Sequence, residues 1–239
     1  MPDPKMRDLT LGQFLDAVAS AAPVPGGGAV AAVVGAAGSA LLQMVISLAL
    51  RRAKDPGTAS ALTSLAERTR VLQESFAGLA DADVAAYRSV AEVLSLPRST
   101  DEERISRQAK LQATLRRAAE VPLETARRSI EALHLAAEAA PLCPRVAQSD
   151  LVTAIHLLRA ACASALANVD ANALSLDETE FRGELARSRM EIGVAARAAA
   201  AGVLAPLERD LTGWLPVRSN RLDSPDRADW LGERDSNPH

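Results

Sequence analysis

Three consecutive glycines stand where backbone groups can bind a ligand. The segment 23–28, Pro-Val-Pro-Gly-Gly-Gly, directly precedes an apolar stretch that predicts a helix. The first N–H groups of a helix have no partner within it and carry partial positive charge. Because no side chains cover them, the amides of Gly26, Gly27 and Gly28 can bind an anionic or carbonyl-bearing ligand. The same glycines equally permit a tight turn or close helix packing.

A carboxylate and a phenol share one face of the next predicted helix. Asp83 and Tyr87 stand four residues apart, so their side chains are neighbours, whereas Asp81 points elsewhere. If this face borders a pocket, Asp83 can act in acid–base catalysis. The alternative is an exposed acid beside a tyrosine that covers the core.

Polar side chains mark both ends of a later predicted helix. Ser149 and Asp150 open it, where either can be an N-cap. Asn168 and Asn172 project from one face near its end, where they can bind the edge of a heterocycle or cap local backbone. A continuous helix puts Asp150 about 27 Å from Asn168, at 1.5 Å per residue. The two then line opposite ends of a cleft, serve different roles, or meet through a partner subunit.

Other kinds of site have little support. His134 and His156 lack companions at metal-ligand spacing, so we expect no metal. Cys143 and Cys162 form no redox motif and are predicted to be buried small hydrophobes in a reducing compartment. The charges are interspersed, with a net charge of -3, which argues against a nucleic-acid partner.

The elements that must position these residues are helices. Apolar residues recur at helical spacing and no segment alternates as a strand does. Aromatic residues make up only 3% of the chain, so Ala, Leu and Val must fill the core. Pro122 is expected to kink or break the fourth helix, and Pro206 to weaken the end of the last. The predicted fold is all-α, a bundle of long antiparallel helices that is expected to be oligomeric. Its helices cover residues 11–21, 26–50, 60–94, 100–140, 149–169 and 177–204, with Thr10 and either Ser99 or Thr100 as N-caps.

The second of these helices carries no charge from residue 26 to residue 50. It is long enough to cross a bilayer, but it is rich in Gly and Ala rather than Leu, Ile and Phe. We therefore predict a helix buried at the centre of the bundle or at a subunit interface, and no membrane. No secretory signal is visible, which favours a cytoplasmic location. Residues 1–211 are predicted to form one helical domain, and residues 212–239 a flexible C-terminal tail.

Taken in order, the motifs resemble those of the formiminotransferase-cyclodeaminase C-terminal domain family, which includes stand-alone methenyltetrahydrofolate cyclohydrolases. The similarity spans about residues 9–204, and the glycine segment is its most specific part. The matching motifs are the 23–28 segment, Asp81-Ala82-Asp83 with Tyr87, Val121-Pro122-Leu123 with Ala126, Ser149-Asp150, and Asn168 with Asn172.

The resemblance implies a homodimer or larger homo-oligomer and one-carbon chemistry on tetrahydrofolate. A cyclodeaminase closes 5-formiminotetrahydrofolate to the 5,10-methenyl form and releases ammonia. A cyclohydrolase adds water to the methenyl bridge and gives 10-formyltetrahydrofolate. Both pass through a tetrahedral carbon between two nitrogens, so the chemistry implies a proton donor and acceptor and no metal or redox cofactor.

The resemblance also suggests residue roles. It assigns acid–base work first to Asp83 and second to Asp150. We expect cyclohydrolase rather than cyclodeaminase activity, because the chain carries no formiminotransferase domain. A non-catalytic helical oligomer that binds a small ligand or a protein partner is the alternative. The expected substrate-binding residues are Gly26, Gly27 and Gly28 through their backbone, and Asn168 and Asn172 through their side chains.

Overall fold

The computed structural model describes residues 5–213. Within that range the chain is built from six α-helices and three short 3₁₀ turns, and no strand is present. The predicted all-α bundle of long antiparallel helices is confirmed. The helices are α1 (Leu11–Ala19), α2 (Gly27–Leu50), α3 (Pro56–Leu94), α4 (Asp101–Ala139), α5 (Gln148–Ala173) and α6 (Thr179–Thr212).

Local signals explain where several helices begin. The Thr10 hydroxyl accepts from the backbone N–H of Gln13, and the Gln13 side chain reaches back to the Thr10 N–H. Thr100 and Glu103 form the same reciprocal cap at α4. Helix α3 begins at Pro56 rather than at the predicted residue 60, because the Asp55 carboxylate accepts from the Thr58 N–H and Pro56 occupies the first turn.

The glycines and alanines of α2 let two neighbouring helices pack closely against it. A Cβ at Gly35 would lie 2.6 Å from Cδ1 of Phe76 in α3. A Cβ at Gly38 would lie 3.0 Å from Cγ of Leu158 and 3.2 Å from the carbonyl oxygen of Ala154, both in α5. Close packing is therefore what fixes α2 between α3 and α5, with its N-terminus beside both. The predicted central, uncharged Gly/Ala-rich helix is confirmed.

Two prolines do not interrupt their helices. Helix α4 runs through Pro122 without a break, so of the two predicted alternatives only a kink remains a prediction. Helix α6 runs through Pro206 to Thr212, so the predicted end at residue 204 is wrong. Neighbouring turns carry the helix past the missing hydrogen bond when tertiary contacts hold it on both sides. The boundary predicted at residue 211 remains a prediction, because residues 214–239 of the predicted tail lie outside the described part.

Three segments of the described chain are long and apolar enough to cross a membrane by length and composition alone. They are Gly27–Leu50, with a mean hydropathy of 2.0, and Arg145–Ala173 and Thr179–Thr212, each with a mean hydropathy of 1.4. Half of the α2 window is buried inside the single chain.

Candidate active site

The N-terminus of α2 forms one end of a pocket. Gly26 is the N-cap, in an extended conformation, and has no side chain to satisfy the first amides of the helix. The turn that leads into it contains a cis peptide bond between Val24 and Pro25. The uncapped amides and the positive end of the helix favour a negatively charged group.

Asp83 of α3 supplies such a group from within the protein. Its carboxylate lies directly against Gly28 and accepts a hydrogen bond from the backbone N–H of Ala29. A Cβ built at Gly28 would overlap both the Asp83 carboxylate oxygens and their carbon. Glycine at position 28 is therefore what allows α3 to bring a carboxylate to the start of α2.

Partial burial makes Asp83 a stronger proton acceptor than an ordinary aspartate. Removal from water disfavours its charged form and raises the pKa of the carboxyl above 3.8, and the Ala29 hydrogen bond opposes this rise only in part. A raised pKa brings a carboxylate closer to the pH at which a general base works best.

The pocket between these elements has a volume of about 380 Å³, within the usual range for a small-molecule site. Helices α2, α3, α4 and α5 all contribute to its wall. Tyr87 lines it one turn beyond Asp83, as their spacing predicts. Six of the seven predicted site residues therefore meet here. They are Gly26, Gly27, Gly28, Asp83, Asn168 and Asn172.

Both asparagines donate their amide N–H groups to backbone carbonyls. Asn168 Nδ2 donates to the Ser164 carbonyl of its own helix at 2.9 Å, and its amide lies 3.4 Å from the Cβ position of Gly27. Asn172 Nδ2 donates to the Ala118 carbonyl of α4, also at 2.9 Å. Asn168 therefore bonds to local backbone, whereas Asn172 bonds to a different helix, and both line the pocket. That they bind the edge of a heterocycle remains a prediction.

Asp150 does not line this pocket in the single chain. It lies in the first turn of α5, about 27 Å along the helix from Asn168. The N-cap of α5 is Ala147, so neither Ser149 nor Asp150 holds the predicted capping position. Burial, and secondarily the negative charge of Asp150, raises the pKa of the Cys143 thiol to about 11. A catalytic role for Asp150 remains a prediction.

Other chemically reactive side chains of the described chain lie outside the pocket. Asp81 accepts a hydrogen bond from the backbone N–H of Met6 at 2.7 Å and so anchors the start of the chain. Cys162 is buried as predicted, whereas Cys143 is only half-buried. No group of three His, Cys, Asp or Glu residues within 5–213 is arranged to hold a metal ion.

A second groove, of about 450 Å³, lies between α5 and α6 on the side of α5 away from Asn168. His156, Arg159 and Arg197 border it, and the rest of its wall is apolar or small. It contains no carboxylate and no helix N-terminus. For acid–base chemistry the Asp83 pocket is therefore the better candidate.

Asp83 should also leave a signature in the pH dependence of stability. Between 3.8 and its raised pKa the folded protein binds more protons than the unfolded chain, so Asp83 lowers the free energy of unfolding as the pH rises. Relative to Asp83→Asn, the wild type should gain stability as the pH falls from 7 towards 4. Urea unfolding of both proteins measures this difference, and a difference that stays constant with pH would contradict it.

Comparison with known proteins gives consistent matches. Residues 10–191 match the family model described as Formiminotransferase-cyclodeaminase. The chain is 37% identical over 175 residues to a methenyltetrahydrofolate cyclohydrolase of Methylorubrum extorquens, covering 73% of this chain and 84% of that protein. It is 31% identical to the mouse formimidoyltransferase-cyclodeaminase over 87% of this chain, but spans only 38% of that protein's length.

A solved structure has the same fold. The crystal structure of formiminotetrahydrofolate cyclodeaminase from Thermotoga maritima superposes with a TM-score of 0.77 at 26% identity. The match covers 86% of this chain and 98% of that one.

Proposed function

The chain belongs to the formiminotransferase-cyclodeaminase family, and we propose on that basis that it is a folate enzyme that hydrolyses 5,10-methenyltetrahydrofolate to 10-formyltetrahydrofolate. The observation that carries the proposal is the half-buried Asp83 carboxylate, which borders a pocket and lies against the glycine-lined start of α2. The similar cyclohydrolase matches over 84% of its own length, which favours hydrolysis as the first reaction to test.

The proposed mechanism uses Asp83 as the acid–base group. Ionised Asp83 accepts a proton from water as the water oxygen bonds to the methenyl carbon, giving a tetrahedral carbon between N5 and N10. The same carboxyl then returns that proton to N5 as the N5–carbon bond breaks, and the hydroxyl oxygen loses its remaining proton to solvent as its double bond to carbon forms, leaving the formyl group on N10. The negative charge also suits a substrate whose methenyl bridge is cationic.

Backbone and amide groups would hold the folate around this carbon. The backbone amides of Gly26, Gly27 and Gly28, which line the pocket, suit carbonyl or carboxylate oxygens of the substrate. Asn168 and Asn172 suit its polar ring edge. These steps need a proton donor and acceptor only, so we propose that the enzyme uses no metal or redox cofactor.

Cyclodeamination of 5-formiminotetrahydrofolate is the second candidate reaction. The mouse relative and the Thermotoga maritima structure are both named for cyclodeaminases. That reaction passes through the same kind of tetrahedral carbon, with ammonia rather than hydroxyl as the other group on it. One acid–base carboxyl in one pocket would serve either reaction.

We propose that the protein works as a cytoplasmic homodimer or larger homo-oligomer, without a membrane or nucleic-acid partner. Helix α1 supports this, because Leu11, Leu15 and Val18 form an apolar stripe on it and are 73%, 55% and 37% exposed. Met44 of α2 is 41% exposed on the uncharged helix. A second copy would cover such surfaces.

The absorbance of 5,10-methenyltetrahydrofolate should fall faster with purified protein than in buffer alone. With 5-formiminotetrahydrofolate as substrate, the same absorbance would instead rise if the chain is a cyclodeaminase. Buffer-only and heat-inactivated samples control for spontaneous hydrolysis. If neither substrate reacts faster than in these controls, the folate-enzyme proposal is wrong.

A further inference from the structure

A backbone carbonyl in the middle of α4 has no donor within its own helix. In an α-helix the carbonyl of one residue accepts from the N–H four residues later. For Ala118 that residue is Pro122, which has no N–H. Ala118 is only 9% exposed, so this carbonyl needs another donor, since buried polar groups are almost always paired.

Asn172 of α5 is that donor. Its Nδ2 lies 2.9 Å from the Ala118 carbonyl oxygen, across the wall of the Asp83 pocket. A carbonyl only accepts, so the amide must direct its N–H group to Ala118. Among residues 5–213 the Oδ1 atom accepts no hydrogen bond, and the side chain that carries it lines the pocket.

We infer that Pro122 is a positioning residue for the pocket, because it frees the Ala118 carbonyl to fix the amide of Asn172 with Oδ1 available to the ligand. Asn168 has the same arrangement one turn earlier, with Nδ2 on the Ser164 carbonyl. The two asparagines thus present acceptors one helical turn apart on the α5 wall of the pocket.

A wall of acceptors selects a ligand edge that carries donors. An edge with a ring N–H beside an amino group fits this chemistry. The pterin ring of a folate has such an edge, so the inference rests on the proposed function for its choice of ligand. The coupling between Pro122 and Asn172 is a property of the fold and can be measured without any folate.

The test is a double-mutant cycle of Pro122→Ala and Asn172→Ala, read in two ways. The first readout is the dissociation constant for 5-formyltetrahydrofolate, a folate that is not the substrate, measured by calorimetry. Loss of one hydrogen bond predicts about tenfold weaker binding in Asn172→Ala. Pro122→Ala gives the Ala118 carbonyl a helical donor and should weaken binding several-fold, with little further loss when both changes are combined.

The second readout is the urea midpoint of unfolding. Asn172→Ala should lower it in the wild-type background, where the Ala118 carbonyl loses its donor, and lower it less in the Pro122→Ala background. Pro206→Ala is the matched control, since it removes a proline from the interior of α6, outside the pocket. It should leave folate binding unchanged.

The positioning role is wrong if the fold-loss of affinity in the double variant equals the product of the two single losses. It is also wrong if Pro122→Ala binds the folate as tightly as the wild type. If the wild type binds no folate, the ligand assignment fails together with the proposed function. The unfolding midpoints then decide the coupling alone, and equal losses from Asn172→Ala in both backgrounds would overturn it.

Discussion

Asp83→Asn should lower kcat for the folate reaction by about 10²–10⁴-fold, the usual contribution of a positioned acid–base group. Asparagine keeps the size of the side chain and can still accept from the Ala29 N–H, but it cannot take up or return a proton. The Michaelis constant should change much less. Stopped-flow or steady-state absorbance of the methenyl group measures both constants.

Two features make this substitution informative. Burial raises the pKa of Asp83, so replacing the charged group should not lower stability at neutral pH, and lost activity will not reflect unfolding. Asp81→Asn is the matched control on the same helix, because Asp81 bonds to the Met6 N–H and an amide oxygen can replace it there. Retention of kcat within about twofold by Asp83→Asn would remove Asp83 from the mechanism.

Gly28→Ala should abolish most of the activity while leaving the Asp83 carboxyl itself in the sequence. The new Cβ would overlap the Asp83 carboxylate, and because both residues sit on packed helices the carboxyl must rotate away. A displacement of about 1 Å at a catalytic group can cost about 100-fold in rate. Overpacking should also lower the free energy of unfolding by about 1–3 kcal/mol. Both effects are measured on the same preparation, by kcat/KM and by urea unfolding.

Gly78→Ala is the control for this substitution. Gly78 lies in α3, and a Cβ there would meet nothing within 4 Å, so alanine should stabilise the helix by up to about 1 kcal/mol and leave activity unchanged. The Gly28→Ala/Asp83→Ala double variant adds a second check. If the overlap with Asp83 is the cause, truncating that side chain should restore stability to Gly28→Ala. If the double variant is no more stable than Gly28→Ala, the destabilising overlap is not with Asp83.

The helices were predictable because their signals are local. Apolar spacing, the caps at Thr10 and Thr100, and the shared face of Asp83 and Tyr87 act over three or four residues. The prolines were misread for the same reason. Local rules predict a break at Pro122 and a weakened end at Pro206, whereas packing against other helices holds both segments helical.

The membership of the pocket was only partly predictable. The ordered motifs point to Gly26–Gly28, Asp83, Asn168 and Asn172, and the structure brings these together. Helix geometry alone already put Asp150 about 27 Å from Asn168, but the sequence could not show whether the rest of the chain would bring Asp150 to the pocket, and in the single chain it does not line it. It also contained Pro122 without showing that the carbonyl it frees, at Ala118, is what Asn172 binds.

The sequence by itself therefore determined which residues form helices and which side chains share a helical face, since one helix's geometry is set by its own backbone. Only the tertiary structure decided which faces meet. The contact of Asp83 with Gly28 depends on how α3 is rotated and shifted along α2, and close packing at Gly35 and Gly38 fixes where α3 and α5 lie against that helix. The sequence left two roles open for the glycine turn, and that packing makes it part of a pocket wall with the Asp83 carboxylate against it.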